Sequence, residues 1–230
     1  MVEFGEGVEI TYVMGGLARE LSPPHDGRVR EWLECSERSG MPVDPRSWWE
    51  GPIGSTYPAC MAVKAAAEQG PEAAARYLRA LREGLMCLRR KLDTTEALVE
   101  EARGAGLNVQ RFRVDLGSHA IVEAFGEDLE ATRATGFALP SIELGGEVVS
   151  GAIGYDALRS AALASGAVAS GEAPPDALGA LRRFGRMATV EVEAVCELPG
   201  TRADAELWRL ASDWKVRPVR VLTGMLWEAA

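Results

Sequence analysis

The sequence predicts an α/β fold in which a small sheet carries a long helical insertion and is followed by a small helical extension. Three observations predict this fold: a β-branched segment at residues 8–14, a helical block over 26–136, and two short strands separated by Gly145-Gly146. The chain has 230 residues, and 47% of them are hydrophobic. It is therefore long enough to bury a substantial core.

The first predicted element is a strand. Residues 8–14, VEITYVM, alternate and include several β-branched residues. Gly15 and Gly16 follow directly and indicate where the strand ends.

The next hundred residues predict helices only. Pro58 is typical of a first helical turn, and Asn108 and Ser118 are typical helix N-caps. Apolar residues recur at helical spacing after residue 71, with arginines on the opposite face, which predicts a core stripe beside a solvated face. The predicted helices cover 26–40, 55–70, 71–92, 94–106, 108–117 and 118–136.

After Gly136 the strand pattern returns. SIEL and EVVSG are separated by two glycines, which is the composition of a two-residue hairpin turn, and YDALRSAALASG predicts a closing helix. We therefore place an α/β domain at 1–166, with the helical insertion at 26–136.

The C-terminal part is predicted to be a helical extension. Residues 167–176 are rich in Ala, Gly, Ser and Pro and predict a linker. Residues 177–230 predict three short helices, which begin near Thr189, Thr201 and Pro218 and superficially resemble a helix-turn-helix. We expect a packing role for this part, with Trp208, Trp214 and Trp227 as its large packing residues, rather than a role in reading DNA.

Charge and hydropathy exclude several classes of partner. The formal charge of −9 and the isoelectric point near 4.9 argue against a nucleic-acid surface, which needs clustered Lys and Arg. No apolar run is long enough to cross a membrane, and the N-terminus lacks the basic start and apolar stretch of a signal peptide. We expect a cytoplasmic protein with no nucleic-acid or membrane partner.

One proline indicates the family. Leu139-Pro140 directly precedes the short hairpin, at the place where thioredoxin-like proteins keep a cis-proline. The segments TYVMGGL, STYPACMAVKAAAEQG, RYLRALREGL and LPSIELGG, in this order, resemble the DsbA family of thiol-disulfide oxidoreductases, in particular its cytoplasmic FrnE-like branch. The resemblance covers roughly residues 1–165. It implies a thioredoxin-like sheet with a DsbA-type helical insertion, in which Leu139 and Pro140 bind an extended substrate.

The resemblance also implies a segment that this sequence does not show. Members of the family have a strand and a C-x-x-C or C-x-x-S motif before the strand that matches VEITYVMGG. Loss of that strand would leave a central place in the sheet empty. We favour a truncated gene product or a misassigned start. The alternatives are that residues 8–14 close the gap themselves or that a partner chain fills it.

Candidate site residues remain in the chain as written. The cysteines at 35, 60, 87 and 196 form no C-x-x-C pair and no metal-ligand cluster. Cys60 lies near a helix start, where the helix dipole favours a thiolate, but a buried structural thiol is the favoured interpretation. Trp48 and Trp49 could line an apolar groove beside Pro140 or cover the core of the insertion. His25 and His119 are expected at the surface.

The function implied by the resemblance is thiol-disulfide exchange with a thiol- or disulfide-containing protein or small molecule. For this chain we expect weak or no activity, because the redox motif is absent. One alternative is a glutathione-dependent isomerase of the 2-hydroxychromene-2-carboxylate isomerase type. The other is a non-catalytic adaptor on the same scaffold, resembling YjbH-type proteins. No cofactor is expected, and a homodimer is the candidate assembly.

Overall fold

The computed structural model describes residues 2–136, 139–151 and 153–230. A single 3-10 turn at Gly5–Gly7 comes before the first helix. The elements then follow in chain order: α1 (Asp26–Ser39), α2 (Ser47–Glu50), α3 (Tyr57–Ala67), α4 (Pro71–Met86), α5 (Thr95–Gly104), α6 (Val109–Leu116), α7 (His119–Ala134), β1 (Ser141–Leu144), β2 (Glu147–Ser150), α8 (Tyr155–Ala164), α9 (Ala177–Phe184), β3 (Met187–Ala188), α10 (Thr189–Val195), α11 (Gly200–Ser212), β4 (Val216–Val221) and β5 (Gly224–Ala229).

The helical block forms the main core, as predicted. The Asn108 and Ser118 side chains accept hydrogen bonds from the backbone N–H groups of Arg111 and Ile121, so both predicted N-caps are confirmed. The apolar stripe of α4 packs on α3 and α5, where the Tyr77 hydroxyl donates to the Leu98 carbonyl oxygen at 2.9 Å. The core is formed by α3 to α7, and its largest fully buried side chains are Tyr77, Phe112, Leu98 and Val99.

The strand predicted at residues 8–14 is not formed. The segment has no regular secondary structure, and the hairpin β1–β2 is a two-stranded sheet in the described part of the chain. Alternation alone does not make a strand, because a strand also needs a neighbour to complete its backbone hydrogen bonds. The hairpin itself is confirmed, with Leu144 opposite Glu147 across the Gly145-Gly146 turn.

The C-terminal part contains a second small sheet. Helices α9, α10 and α11 pack on an antiparallel sheet of order β3-β5-β4. The third helix predicted near Pro218 is wrong: Val216, Val219 and Val221 favour a strand, and Pro218 is tolerated because β4 is an edge strand. Helix α10, a four-residue connection and α11 do form a helix-turn-helix arrangement.

The three tryptophans of this part differ in burial. Trp227 is fully buried, and its indole N–H donates to Thr189 Oγ1 at 3.0 Å. Trp208 is half-exposed and packs edge-on against Trp227 at 4.9 Å. Trp214 is 88% exposed, so the prediction that it is a packing residue is wrong.

Charged and apolar contacts join the C-terminal part to the helical block. Arg79 of α4 donates to Glu191 of α10, and Arg186 of the C-terminal part donates to Glu83 of α4 at 3.2 Å. Cys87 packs in one apolar cluster with Val221 and Leu226. The β4–β5 turn also packs on the loop after α1, where the Val43 N–H donates to Thr223 Oγ1 at 2.8 Å. These contacts fix the C-terminal part against the block. The division at 1–166, 167–176 and 177–230 stays a prediction.

Candidate functional site

The Gly15–Gly16 turn lies between Cys60 and the Leu139–Pro140 loop. A Cβ atom on Gly15 would come within 3.1 Å of Leu139 Cδ1, and one on Gly16 would come within 2.6 Å of Leu129 Cδ2. Gly16 also has a φ of +55°, which favours glycine. The turn is thus closely packed on both sides and places the Leu139 loop next to the N-terminal segment.

A buried carboxylate holds this turn in position. Asp128 on α7 accepts a hydrogen bond from the Met14 N–H at 2.8 Å and forms an ion pair of 2.9 Å with the Lys64 ammonium of α3. The Thr132 hydroxyl donates to the Asp128 carbonyl oxygen at 2.8 Å. The residue directly before the glycine pair is therefore tied to α3 and α7 through Asp128.

The sequence analysis missed Asp128, although the chain contains a signal for it. Ile121, Phe125 and Thr132 lie on the buried face of α7, and Asp128 lies on that face between them. A carboxylate within a buried helical stripe requires a partner, and Lys64 on the neighbouring helix supplies it.

The Leu139–Pro140 peptide bond is cis, and both residues are exposed to solvent. Leu139 is 41% exposed. The Pro140 carbonyl oxygen accepts a hydrogen bond from the Gly151 N–H at 2.8 Å, which fixes the start of the β1–β2 hairpin. An exposed apolar side chain on a fixed loop can contact a polypeptide partner.

Burial raises the pKa of three thiols, those of Cys60, Cys87 and Cys196. Burial raises the pKa of Cys60, and the Asp128 carboxylate adds to this effect, against a hydrogen bond from the Gly16 N–H that lowers it. Burial also raises the pKa of Cys87, to about 11, and that of Cys196. All four cysteines are free. The structure thus favours the interpretation of Cys60 as a structural thiol.

We expect Cys60 to react slowly with iodoacetamide. The raised pKa leaves little thiolate at neutral pH. We therefore expect alkylation of Cys60 to accelerate only when the pH exceeds the pKa of an ordinary thiol. Peptide mass spectrometry of the folded protein between pH 6 and 10 gives the rate at each cysteine. The half-buried Cys35 serves as the internal control. A Cys60 that is alkylated faster than Cys35 at pH 7 would contradict this account.

The two adjacent tryptophans have separate environments. Trp48 is only 6% exposed and packs with Trp32, His25 and Leu21, so it does not line an open groove, whereas Trp49 is 61% exposed. The expectation that His25 lies at the surface is wrong, because its ring packs against Trp48 in this small cluster. A substrate-binding role for Trp49, Leu139 and Pro140 stays a prediction.

Within the described ranges no group of His, Cys, Asp and Glu side chains is arranged to hold a metal ion. None of the described helices is both long and apolar enough to cross a membrane.

Comparison with known proteins identifies the family. A family model described as thioredoxin matches residues 1–141. The chain belongs to this thioredoxin family. A crystal structure from Nitrosomonas europaea, proposed to be a protein disulfide isomerase, has a TM-score of 0.56 at 21% identity. The matched region covers 64% of this chain and 76% of the chain from Nitrosomonas europaea. This similarity supports the DsbA-like thioredoxin fold.

Curated relatives of this thioredoxin-family chain are named as adapter proteins. The ClpXP adapter protein SpxH of Halalkalibacterium halodurans is 28% identical over 99% of this chain and 80% of its own length. The ClpXP adapter proteins SpxH of Shouchella clausii and Bacillus subtilis are also 28% identical, over 88% and 86% of this chain and 75% and 70% of their own lengths. These names agree with the adaptor alternative better than with thiol-disulfide exchange.

Proposed function

We propose that this protein is a non-catalytic, cytoplasmic adaptor that binds a client protein and delivers it to a ClpXP-type protease. One observation carries the proposal: Leu139, in the loop that would bind an extended substrate, is exposed, while Cys60, which contacts the backbone of the adjacent Gly15–Gly16 turn, has a raised pKa. A scaffold with a binding loop and without a reactive thiol can bind a polypeptide but cannot exchange disulfides with it. The names of the relatives support the same conclusion.

The first test uses purified proteins. We expect the full chain to bind the ClpX hexamer in biolayer interferometry, and we expect a variant with all four cysteines changed to serine to bind equally well. In an insulin-reduction assay the unmodified chain should show no turnover above a no-protein control. Robust insulin reduction that is lost on Cys60→Ser would instead support the oxidoreductase alternative.

Leu139 is proposed to contact the client. Changing Leu139 to Glu places a charge on a surface that must lose water in the complex, so we expect client binding to weaken by about tenfold. The half-lives of pulse-labelled client proteins in cells should lengthen accordingly. Because Leu139 is 41% exposed, the free energy of unfolding should change little.

The matched control for Leu139→Glu is Val114→Glu on α6. Val114 is also exposed, at 73%, and lies on α6, a different helix from α3 and α7, which hold the residue before the Gly15–Gly16 turn. Equal loss of client turnover in both variants would contradict the assignment of Leu139 to the client site.

A further inference from the structure

Trp214 has a left-handed backbone conformation directly after α11. Its φ is +58°. Two hydrogen bonds hold the turn: the Trp214 N–H donates to the Ala211 carbonyl oxygen at 3.0 Å, and the Lys215 N–H donates to that of Leu210 at 2.9 Å. Many helices end in this way, and glycine usually occupies the left-handed position, because a side chain there is strained. The tryptophan at this position therefore costs stability.

Contacts within the chain do not offset the strain at Trp214. Arg89 and Glu197 share the left-handed conformation, with φ of +55° and +51°, but their side chains are charged and suited to water. Trp214 is the most exposed of the large hydrophobic side chains in the described ranges. A strained position and an exposed indole both disfavour tryptophan here. The combination indicates that the side chain contacts something outside this chain.

The charges next to Trp214 are paired with one another. The Asp213 carboxylate pairs with Arg209 at 3.3 Å and with Lys215 at 3.2 Å, and Arg209 also pairs with Glu206 at 2.6 Å. These two acidic and two basic side chains leave no net charge beside the indole. A partner complementary to this surface is uncharged where it meets Trp214, so it presents an apolar pocket rather than a charged groove.

The hairpin that follows Trp214 is occupied within the chain. Helices α10 and α11 and the β4–β5 hairpin follow one another in the order of a winged helix, a fold that many DNA-binding proteins use. Here the hairpin turn is docked on the helical block. The Thr223 N–H donates to the Val43 carbonyl oxygen at 3.2 Å, and Thr223 Oγ1 lies 2.9 Å from Ser36 Oγ. Together with the paired charges of α11, this favours a protein partner over DNA.

An adaptor holds its client and the protease at the same time, which requires two separate surfaces. The Leu139 loop, proposed for the client, lies beside the Gly15–Gly16 turn, whereas Trp214 follows α11 in the C-terminal part. The protease is the same partner for every client, so a single preformed contact suits it. The two hydrogen bonds of the turn fix the Trp214 backbone before binding, which reduces the entropy lost in the complex.

We propose that Trp214 docks this chain on the ClpX subunit of a ClpXP-type protease, with the indole inserted into an apolar pocket of that subunit. This inference rests on the proposed adaptor function and names the surface that contacts the protease. A buried indole at the centre of an interface supplies a large share of the binding free energy.

Changing Trp214 to Gly separates binding from folding. Glycine relieves the left-handed strain, so the urea midpoint of the variant should stay equal or rise. Its affinity for the immobilised ClpX hexamer in biolayer interferometry should fall by about tenfold, as expected for loss of an aromatic side chain at the centre of an interface. A merely structural role for Trp214 would instead lower the urea midpoint, and that result would overturn the proposal.

The matched control for Trp214→Gly is Trp49→Ala. It removes an indole that is 61% exposed in the helical block, from a helical backbone in which alanine is unstrained. Its affinity for ClpX should equal that of the unmodified chain. Equal weakening in the two variants would mean that any exposed indole adsorbs to ClpX, and the assignment of Trp214 would be wrong.

Photo-cross-linking identifies what covers position 214. The full chain with p-benzoylphenylalanine in place of Trp214 should cross-link to purified ClpX on irradiation, and the same substitution of Trp49 should not. A cross-link from position 214 to a second copy of the chain, or no cross-link at all, would overturn the proposal.

Failure of the proposed function gives a different result. If the unmodified chain does not bind ClpX, the adaptor assignment is wrong and this inference is wrong with it. If the unmodified chain binds ClpX and Trp214→Gly binds equally well, the adaptor assignment stands and only the role of Trp214 is wrong.

Discussion

Changing Trp227 to Ala is expected to lower the free energy of unfolding by about 3–5 kcal/mol. Trp227 is fully buried in the C-terminal core, among α9, α10 and α11, and pairs with Met187 and Pro218 across the sheet β3-β5-β4. The truncation removes a large buried apolar area, leaves a cavity and leaves Thr189 Oγ1 without the indole donor. Urea denaturation followed by far-UV circular dichroism measures the change without relying on tryptophan fluorescence.

The matched control for Trp227→Ala is Trp214→Ala. The same chemical group is removed, but Trp214 is 88% exposed, so we expect a change within about 0.5 kcal/mol. A loss below about 1 kcal/mol for Trp227→Ala would mean that the C-terminal core is not packed as described.

Changing Asp128 to Ala is expected to lower the free energy of unfolding by about 3 kcal/mol, which is the second large effect. The variant leaves the Lys64 ammonium, which is mostly buried, without its counter-charge, and it leaves the Met14 N–H without an acceptor. Removal of one partner from a buried pair costs more than replacement of both. The double variant Asp128→Leu, Lys64→Met should therefore recover most of the lost stability.

The neighbouring Glu127 supplies the control for Asp128. It lies on the exposed face of the same helix, so Glu127→Ala should change the free energy of unfolding by less than about 0.5 kcal/mol. Because Asp128 holds the residue before Gly15, Asp128→Ala should also slow client turnover. If stability fell while turnover stayed unchanged, the Gly15–Gly16 turn would not contribute to the client site.

The features that the sequence predicts correctly depend on local signals. The N-caps at Asn108 and Ser118 follow from short-range hydrogen bonding, and the hairpin follows from its two central glycines. The features that it misses depend on strand pairing rather than on local signals. Residues 8–14 have the composition of a strand but no strand partner in the described part of the chain, and the strand that contains Pro218 is stable because β5 lies beside it.

In the candidate site, too, local signals are recognisable from the sequence and tertiary contacts are not. Leu139-Pro140 is recognisable from its position before the hairpin, whereas the contact of Leu139 with Gly15 joins segments more than a hundred residues apart. The raised pKa of Cys60 also depends on tertiary structure. Its place near a helix start favours a thiolate, and burial beside Asp128 outweighs that effect.

We propose that this chain works by binding a client and not by thiol chemistry. The most direct measurement is the half-life of pulse-labelled proteins in cells that lack the chain and are complemented with the four-cysteine-to-serine variant. We predict that proteins stabilised by loss of the chain, and also by loss of ClpX, regain their short half-lives with this variant. If the unmodified chain restored turnover and the serine variant, present at equal abundance and folded by circular dichroism, did not, a thiol would be essential and the adaptor account would be wrong.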